Sequence, residues 1–415
     1  MLRKHCGLIK RSNCGSLHLK RTIKILHLFS NWKWTGPAEP TVILCETLQK
    51  RGHQVTLAYR SPPFDVEDSI AHRVAGKNFQ SIDRFRLRPI GKGFWNLGLT
   101  DILKDVRDLR RFISAMNFDV INVHNSHDHT LGGLAARLSR KRPVLIRTDH
   151  NRDAITPSWG NRLLVSRLTD GIVTFSEMAR KKGSTNLPIL PERVGKVGTA
   201  LQLERYDPQR SFRNMRRVFK INSEDLVIGM VARFQKYRRT DVFLVSLAKL
   251  VREFPHVKAL LMGRSSQIRE SVIEPTKRLG LEANVILADY QRENYLGTLA
   301  AMDIFVFLMA GSDGTARALR EAMAMGKPAV VARRGMLPEL VEDGETGFLV
   351  DDTPDNLYRA IRSLVQNSHL RMEMGRAAQK KAQRDFRLDK QAEEIEAFYR
   401  RILDMGPRRS WYPSH

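Results

Sequence analysis

Short apolar runs alternate with amphipathic stretches along almost the whole chain, the pattern of strands followed by helices. TIKILHLFS (22–30) reads as a first buried strand, Glu39 to Arg51 as a helix stopped by Gly52, and QVTLAYR (54–60) as a second strand. Further strands are predicted at DVINVH (119–124), PVLIRT (143–148) and GIVTFS (171–176), with a helix over Leu131 to Arg140 between the first two. The pattern restarts at Asp225. LVIGMVARF (226–234) is a buried strand and Thr240 to Phe254 a helix; strand VKALLMG and helix Arg269 to Leu279 come next, then strands NVILA, DIFVFLM, GKPAVVA and GFLV. This order predicts an α/β fold with two doubly wound, Rossmann-like sheets facing across a cleft. The chain divides into a basic extension (1–20), a first domain (21–206), a second domain (222–385) and a closing helix (386–405), with Asp207 to Ser223 as the connection. Open parallel sheets bind ligands at the carboxyl ends of their strands, so the cleft between the two is the expected site.

At 415 residues and 42% hydrophobic content the chain has enough material for two real cores, which excludes a peptide or a single small module. Its three cysteines, Cys6, Cys14 and Cys45, are an odd number in a long chain and argue against a disulfide scaffold. No window approaches the roughly 18 apolar residues of a membrane span; the best, Leu299 to Met309, is broken by Asp303. Charge changes the picture more. Seventy Lys and Arg against 44 Asp and Glu leave a net charge of +26, and eight cations precede the first acid, Glu39. Residues 1–20 read as a basic extension, since ILHLFS runs straight into NWKWTGP without a cleavage site of small residues. The excess predicts attraction to polyanions: nucleic acid, an anionic membrane or phosphorylated small molecules. No zinc finger, basic zipper or aromatic-basic RNA motif is present, so nucleic acid is not an expected partner.

The most informative stretch is GSDGTARALREAMAMGKPAVVARRGMLPELVEDGETGFLV (311–350). It follows a strand and leads into a helix, so backbone N–H groups near Gly314 to Arg317 should sit at a helix N-terminus, a place for phosphate. Asp313 precedes that helix and Glu321 lies two turns later, a spacing that could hold two hydroxyl-bearing parts of one ligand. The same spacing equally fits Asp313 as a helix N-cap and Glu321 as a solvated helix residue.

A carboxylate, seven residues, a Glu followed by AMAMGKPAVVA, then PELVEDGETGFLV, resembles the donor-sugar signature of the retaining family-4 glycosyltransferases. The resemblance implies that Asp313 contacts the donor sugar and Glu321 the nucleotide ribose, with Gly314, Thr315, Ala316 and Arg317 also on the donor. Three departures bear on donor choice: Asp313 where Glu is common, Thr315 and Ala316 in a segment usually Gly-Phe-Gly, and Leu308 and Met309 for a usual Pro-Ser. GMVARFQKYRRTDVFLVSLAKL (229–250) is similar to the family's diphosphate-binding strand-loop-helix, which carries the clamp onto Arg233 and Arg238. Arg can take the place of the usual Lys because its fork bonds two oxygens at once. MGRSSQ (262–267), with Gly263 and Arg264, stands where relatives place the nucleobase, and TGPAEP (35–40) resembles the Gly-rich loop after the first strand, keeping Gly36 but with Pro37 for its second Gly. KVGTALQLERYDP (196–208) resembles the interdomain passage but lacks its Asn-Gly. His124 matches an active-site His of relatives and His150 a Thr-x-His, each with the alternative of a satisfied polar residue at a strand end. His124, His127 and His129 are spaced as a metal site would be, yet no carboxylate or Cys completes a familiar ligand set nearby.

The resemblance spans about residues 22–385 and implies the GT-B fold, with a closing helix over Leu388 to Leu403 crossing back to the first domain. The implied reaction moves a sugar from a nucleotide-sugar donor to an acceptor hydroxyl with retention, without a metal or other cofactor. A front-face substitution is expected, Arg233, Arg238 and the helix N-terminus stabilising the leaving diphosphate. The expected acceptor is a glycan or lipid-linked glycan, as in lipopolysaccharide or other surface polysaccharide assembly, at the cytoplasmic face of an anionic membrane. Two alternatives stand beside it: a catalytically silent sugar-nucleotide-binding relative, and a basic nucleic-acid-binding protein.

Overall fold

In this computed structural model the structure describes residues 21–87, 99–291, 293–310 and 316–408. The first half builds a seven-stranded parallel sheet from β1 (Lys24–Phe29), β2 (Gln54–Tyr59), β3 (Gln80–Ile82), β4 (Val120–Val123), β5 (Val144–Thr148), β6 (Gly171–Thr174) and β7 (Val194–Lys196). The second builds a six-stranded one from β8 (Leu226–Val231), β9 (Val257–Met262), β10 (Val285–Leu287), β11 (Ile304–Phe307), β12 (Ala329–Ala332) and β13 (Gly347–Val350). Their orders, β3-β2-β1-β4-β5-β6-β7 and β10-β9-β8-β11-β12-β13, reverse at β1/β4 and at β8/β11, so each sheet has its switch point beside its first strand. Both are doubly wound, as the alternating pattern predicts. The short edge strands β3 and β7 have no counterpart in that reading, because three residues are too few to show a period.

Two differences from the predicted elements matter for the cleft. The helix expected from Leu131 starts at Ser126. Its polar first turn reads as loop, but Asp128 accepts the Asn125 N–H at 2.8 Å and caps it. The 311–350 helix begins at Arg317 with Ala316 as its N-cap in a left-handed conformation (φ 43°).

The last helix, Leu388–Met405, packs on the first sheet, its Ala392, Ile395, Phe398, Tyr399 and Ile402 sharing a cluster with Ile25, Val120 and Ile146. Gly195 is needed for this approach: a Cβ there would meet the Phe398 ring at 2.4 Å. The halves also meet through polar contacts. Glu339 of the second half accepts from the Glu177 N–H at 2.8 and 2.9 Å, at the N-terminus of the first-half helix Glu177–Asn186, and from Lys196 Nζ at 2.7 Å. No helix among the described residues is long and apolar enough to cross a membrane.

Candidate active site

Carboxyl ends of both sheets supply the polar groups at the cleft. On the first-half side, β1, β4 and β5 bring together three histidines distant in sequence. His27 Nδ1 lies 3.0 Å from His124 Nε2, and His124 Nδ1 lies 3.0 Å from His150 Nε2 and 3.3 Å from Thr41 Oγ1. Exposures of 0%, 3% and 9% put all three in the interior. Each link needs one proton, so the three tautomers are fixed jointly. Burial pushes His27 and His150 down to about 3, with the Arg147 charge adding to the effect at His150. His124 falls well below the usual imidazole range through burial and then through His150, His27 and Arg147. All three are therefore neutral near pH 7.

The structure thus joins His124 to His150 and adds His27, which the sequence reading missed because nothing in ILHLF marks one inward side chain as polar-partnered. His127 and His129 go elsewhere. His129 Nε2 sits 2.6 Å from Thr169 Oγ1, and both ring nitrogens of His127 are buried without a hydrogen-bond partner among the described residues. Among the described residues no group of three His, Cys, Asp or Glu is placed to hold a metal ion.

On the second-half side, Glu321 is 3% exposed, which overturns the solvated alternative. Its carboxylate accepts from Tyr206 Oη at 2.7 Å, from the Tyr295 hydroxyl and from Arg317 Nε at 2.7 Å. Burial and the Glu321 charge raise both phenols, so Tyr206 and Tyr295 stay protonated donors. Tyr206 comes from the interdomain passage and Tyr295 from the helix Tyr295–Ala300; neither has a local sequence signal. Arg317 also reaches across the cleft to Glu39, at 2.6 Å through Nη1 and 3.0 Å through Nη2. Burial opposes ionisation of Glu39, but the Arg317 hydrogen bond and charge outweigh it and its pKa falls. The Arg317 guanidinium therefore faces two carboxylates, where the donor reading expects it to face the donor.

Arg238 donates to the Met309 carbonyl at 2.6 Å, just beyond the end of β11. Arg233 is exposed after β8. Gly263 has φ 144°, and a Cβ there would lie 1.9 Å from the Ala232 carbonyl oxygen, so only Gly lets β9 end against β8. Arg264 stacks over Tyr290 at 4.8 Å, and Gly36 lines a narrow crevice with Glu39, Tyr206 and Arg317. Asp313, Gly314 and Thr315 lie outside the described residues.

A second cavity opens at the first-half end of the cleft. It measures about 700 Å³ and is lined by Ser126, His129, Arg147, Asn151, Asn161 and, from the second half, Tyr237. Its size suits a small molecule.

Comparisons with known proteins agree in both halves. Residues 211–381 match the model of glycosyl transferases group 1, and residues 40–205 that of glycosyltransferase family 4. The N-acetyl-alpha-D-glucosaminyl L-malate synthase of Bacillus anthracis is 24% identical over 370 residues, covering 87% of this chain and 92% of that protein. A glycosyltransferase from Rickettsia africae superposes with a TM-score of 0.76 at 16% identity, covering 92% of this chain and 99% of that one. Anabaena HepE in complex with UDP and glucose superposes with a TM-score of 0.72 at 20% identity, covering 90% and 98%.

Proposed function

The chain belongs to the family-4, group 1 glycosyltransferases of GT-B fold, and from that premise we propose that it moves a sugar from a UDP-sugar to an acceptor hydroxyl with retention of anomeric configuration. One observation carries the reading: Arg238 and the Glu321 cluster stand at the carboxyl ends of the second sheet, and the His27–His124–His150 row stands at those of the first, across one cleft. Glu321, held by two phenols and Arg317, is assigned to the ribose, Arg233 and Arg238 to the diphosphate, Asp313 to the donor sugar, and neutral His124 to the reaction centre. UDP is favoured because HepE is described with UDP and glucose. Retaining glycosidases form a covalent intermediate through a carboxylate nucleophile, and the described cleft residues offer none evidently placed for it. Front-face substitution, in which the departing diphosphate takes the acceptor proton, fits a site built of arginines and backbone N–H groups. In this reading Arg233 and Arg238 take the role of a metal ion at the diphosphate.

The net charge of +26 supports peripheral association with an anionic membrane, and with it a glycan or lipid-linked glycan acceptor in lipopolysaccharide or other surface polysaccharide assembly. The test is a panel of UDP-, GDP- and ADP-sugars, read as nucleoside diphosphate release, with NMR of the product for anomeric configuration. Arg238→Ala should weaken UDP binding roughly ten- to a hundred-fold. Inverted product would remove the mechanism, and binding without hydrolysis or transfer would favour the silent relative.

A further inference from the structure

Arg147 follows Leu145 on one face of β5, the face that also packs Leu131, Ala135 and Leu168. It is 5% exposed, and its Nε and Nη1 are buried without a hydrogen-bond partner among the described residues. A buried guanidinium stays charged, and leaving its donors unfilled is costly. Two carboxylates lie near enough to attract it, Asp149 and Asp128, but neither forms an ion pair with it. Asp128 accepts the N–H groups of Ser30 at 2.6 Å and Asn125 at 2.8 Å. Asp149 accepts from Asn151 N and Nδ2 at 3.0 and 2.7 Å. Both are occupied in shaping the loops after β4 and β5, so the guanidinium has charge nearby and lacks an oxygen to bond.

The side chain lines the 700 Å³ cavity described above. So do Ser126 and His129 from the first turn of the helix Ser126–Arg137, whose N-terminal dipole adds partial positive charge. His129 is pushed down to about 3 by burial and then by Arg147, so it contributes no competing cation. Asn151 and Asn161 supply amides suited to hydroxyls. Tyr237, next to Arg238 in the chain, closes the side toward the second half, which puts the cavity on the acceptor side of the cleft.

We infer that Arg147 is the anchor of an oxyanion subsite, and that the acceptor carries a phosphate or carboxylate which enters this cavity and bonds the Arg147 guanidinium. The inference rests on the transferase reading for the word acceptor; the subsite itself rests on the unfilled donors and the cavity. The oxyanion has two possible sources, a small soluble hydroxy compound or the head of an anionic lipid carrier, and both present the same chemistry to Arg147.

Calorimetry with the full chain under saturating UDP, which fills the donor site, tests it. Glycerol 3-phosphate and glycerate are the charged probes and glycerol the neutral control. At least one charged probe should bind roughly ten- to a hundred-fold more tightly than glycerol. Arg147→Gln should abolish the difference while leaving UDP affinity unchanged, and without ligand it should melt no lower than the parent, since it removes an unsatisfied buried charge. Arg147→Lys, which keeps the charge but loses the fork, should retain part of the preference and serves if the Gln variant does not fold. Arg238→Ala should do the reverse, losing UDP but not the charged probe. Vesicles containing phosphatidic acid separate the sources: binding lost in Arg147→Gln assigns the oxyanion to lipid, and binding unchanged assigns it to a soluble acceptor. Equal binding of glycerol and both charged probes, or a preference that survives Arg147→Gln, overturns the subsite. Failure to bind UDP counts instead against the transferase reading, because the Arg147 result is read from the acceptor probes alone.

Discussion

The two polar clusters that face the cleft are built on opposite principles. On the first-half side, neutral imidazoles pair with one another and a buried arginine keeps donors unfilled among the described residues. On the second-half side, a buried carboxylate is surrounded by donors, two phenols and an arginine, and almost nothing is left over. The second cluster is self-sufficient and stabilises the fold before any ligand arrives. The first is held by the surrounding core and waits for a partner. A transferase with a nucleotide donor on one side and an acceptor on the other would have these two different needs: a rigid carboxylate for a constant ribose, and spare donors for the group that defines the acceptor.

Acid should break the comparison most strongly. His27, His129 and His150 titrate near 3 in the folded chain, and His124 well below its ordinary value, against about 6.5 when unfolded. The unfolded chain therefore binds protons that the folded chain refuses, and stability present above pH 6.5 is lost as pH falls toward 3. Each histidine costs up to about 1.4 kcal/mol per pH unit, so His27, His129 and His150 together should destabilise the first-half side by up to roughly 6 kcal/mol at pH 5, with His124 acting in the same direction. Melting curves at several pH values check this, and His27→Gln should flatten the slope by about one histidine's share. A melting temperature constant between pH 7 and 5 would mean that the row is not neutral.

Glu321→Leu attacks the other cluster. It leaves two buried phenols without their acceptor and Arg317 with Glu39 alone, and should cost about 2–5 kcal/mol in urea unfolding, with no change in the acid slope. A loss below about 1 kcal/mol would show that the phenols find other partners. The smallest effect expected is a gain. Ala316 holds a left-handed conformation (φ 43°) that Gly adopts without a Cβ penalty, and Ala316→Gly should stabilise by up to about 1 kcal/mol. If it destabilises instead, the Ala316 methyl, which is buried in the second-half core, contributes more than the backbone costs.

The same contrast explains what could be read in advance. The second-half cluster centres on one continuous stretch, where a strand, a loop and a helix fix the order and spacing of Asp313, Ala316, Arg317 and Glu321, so its motif is visible in one pass. Its supporting phenols are not, since Tyr206 and Tyr295 lie over a hundred and over twenty residues away from Glu321 in the chain and meet it only on folding. The first-half row draws on residues 27, 41, 124 and 150 from three strands and a helix. Only His124 and His150, at strand ends, stand out as candidates in the sequence, and Arg147 reads as one polar residue in PVLIRT.

By itself the sequence determined the two doubly wound sheets, because hydrophobic periodicity and turn residues act over a few neighbours and survive in one dimension. It also determined the family resemblance and the excess of positive charge. Which donors are satisfied and which are left waiting was decided only by tertiary structure. Hydrogen-bond partnership depends on distances of about 3 Å between residues remote in the chain, and no local pattern encodes that His27 meets His124, that Arg317 is captured by Glu39, or that Arg147 lines a cavity with two donors unfilled among the described residues.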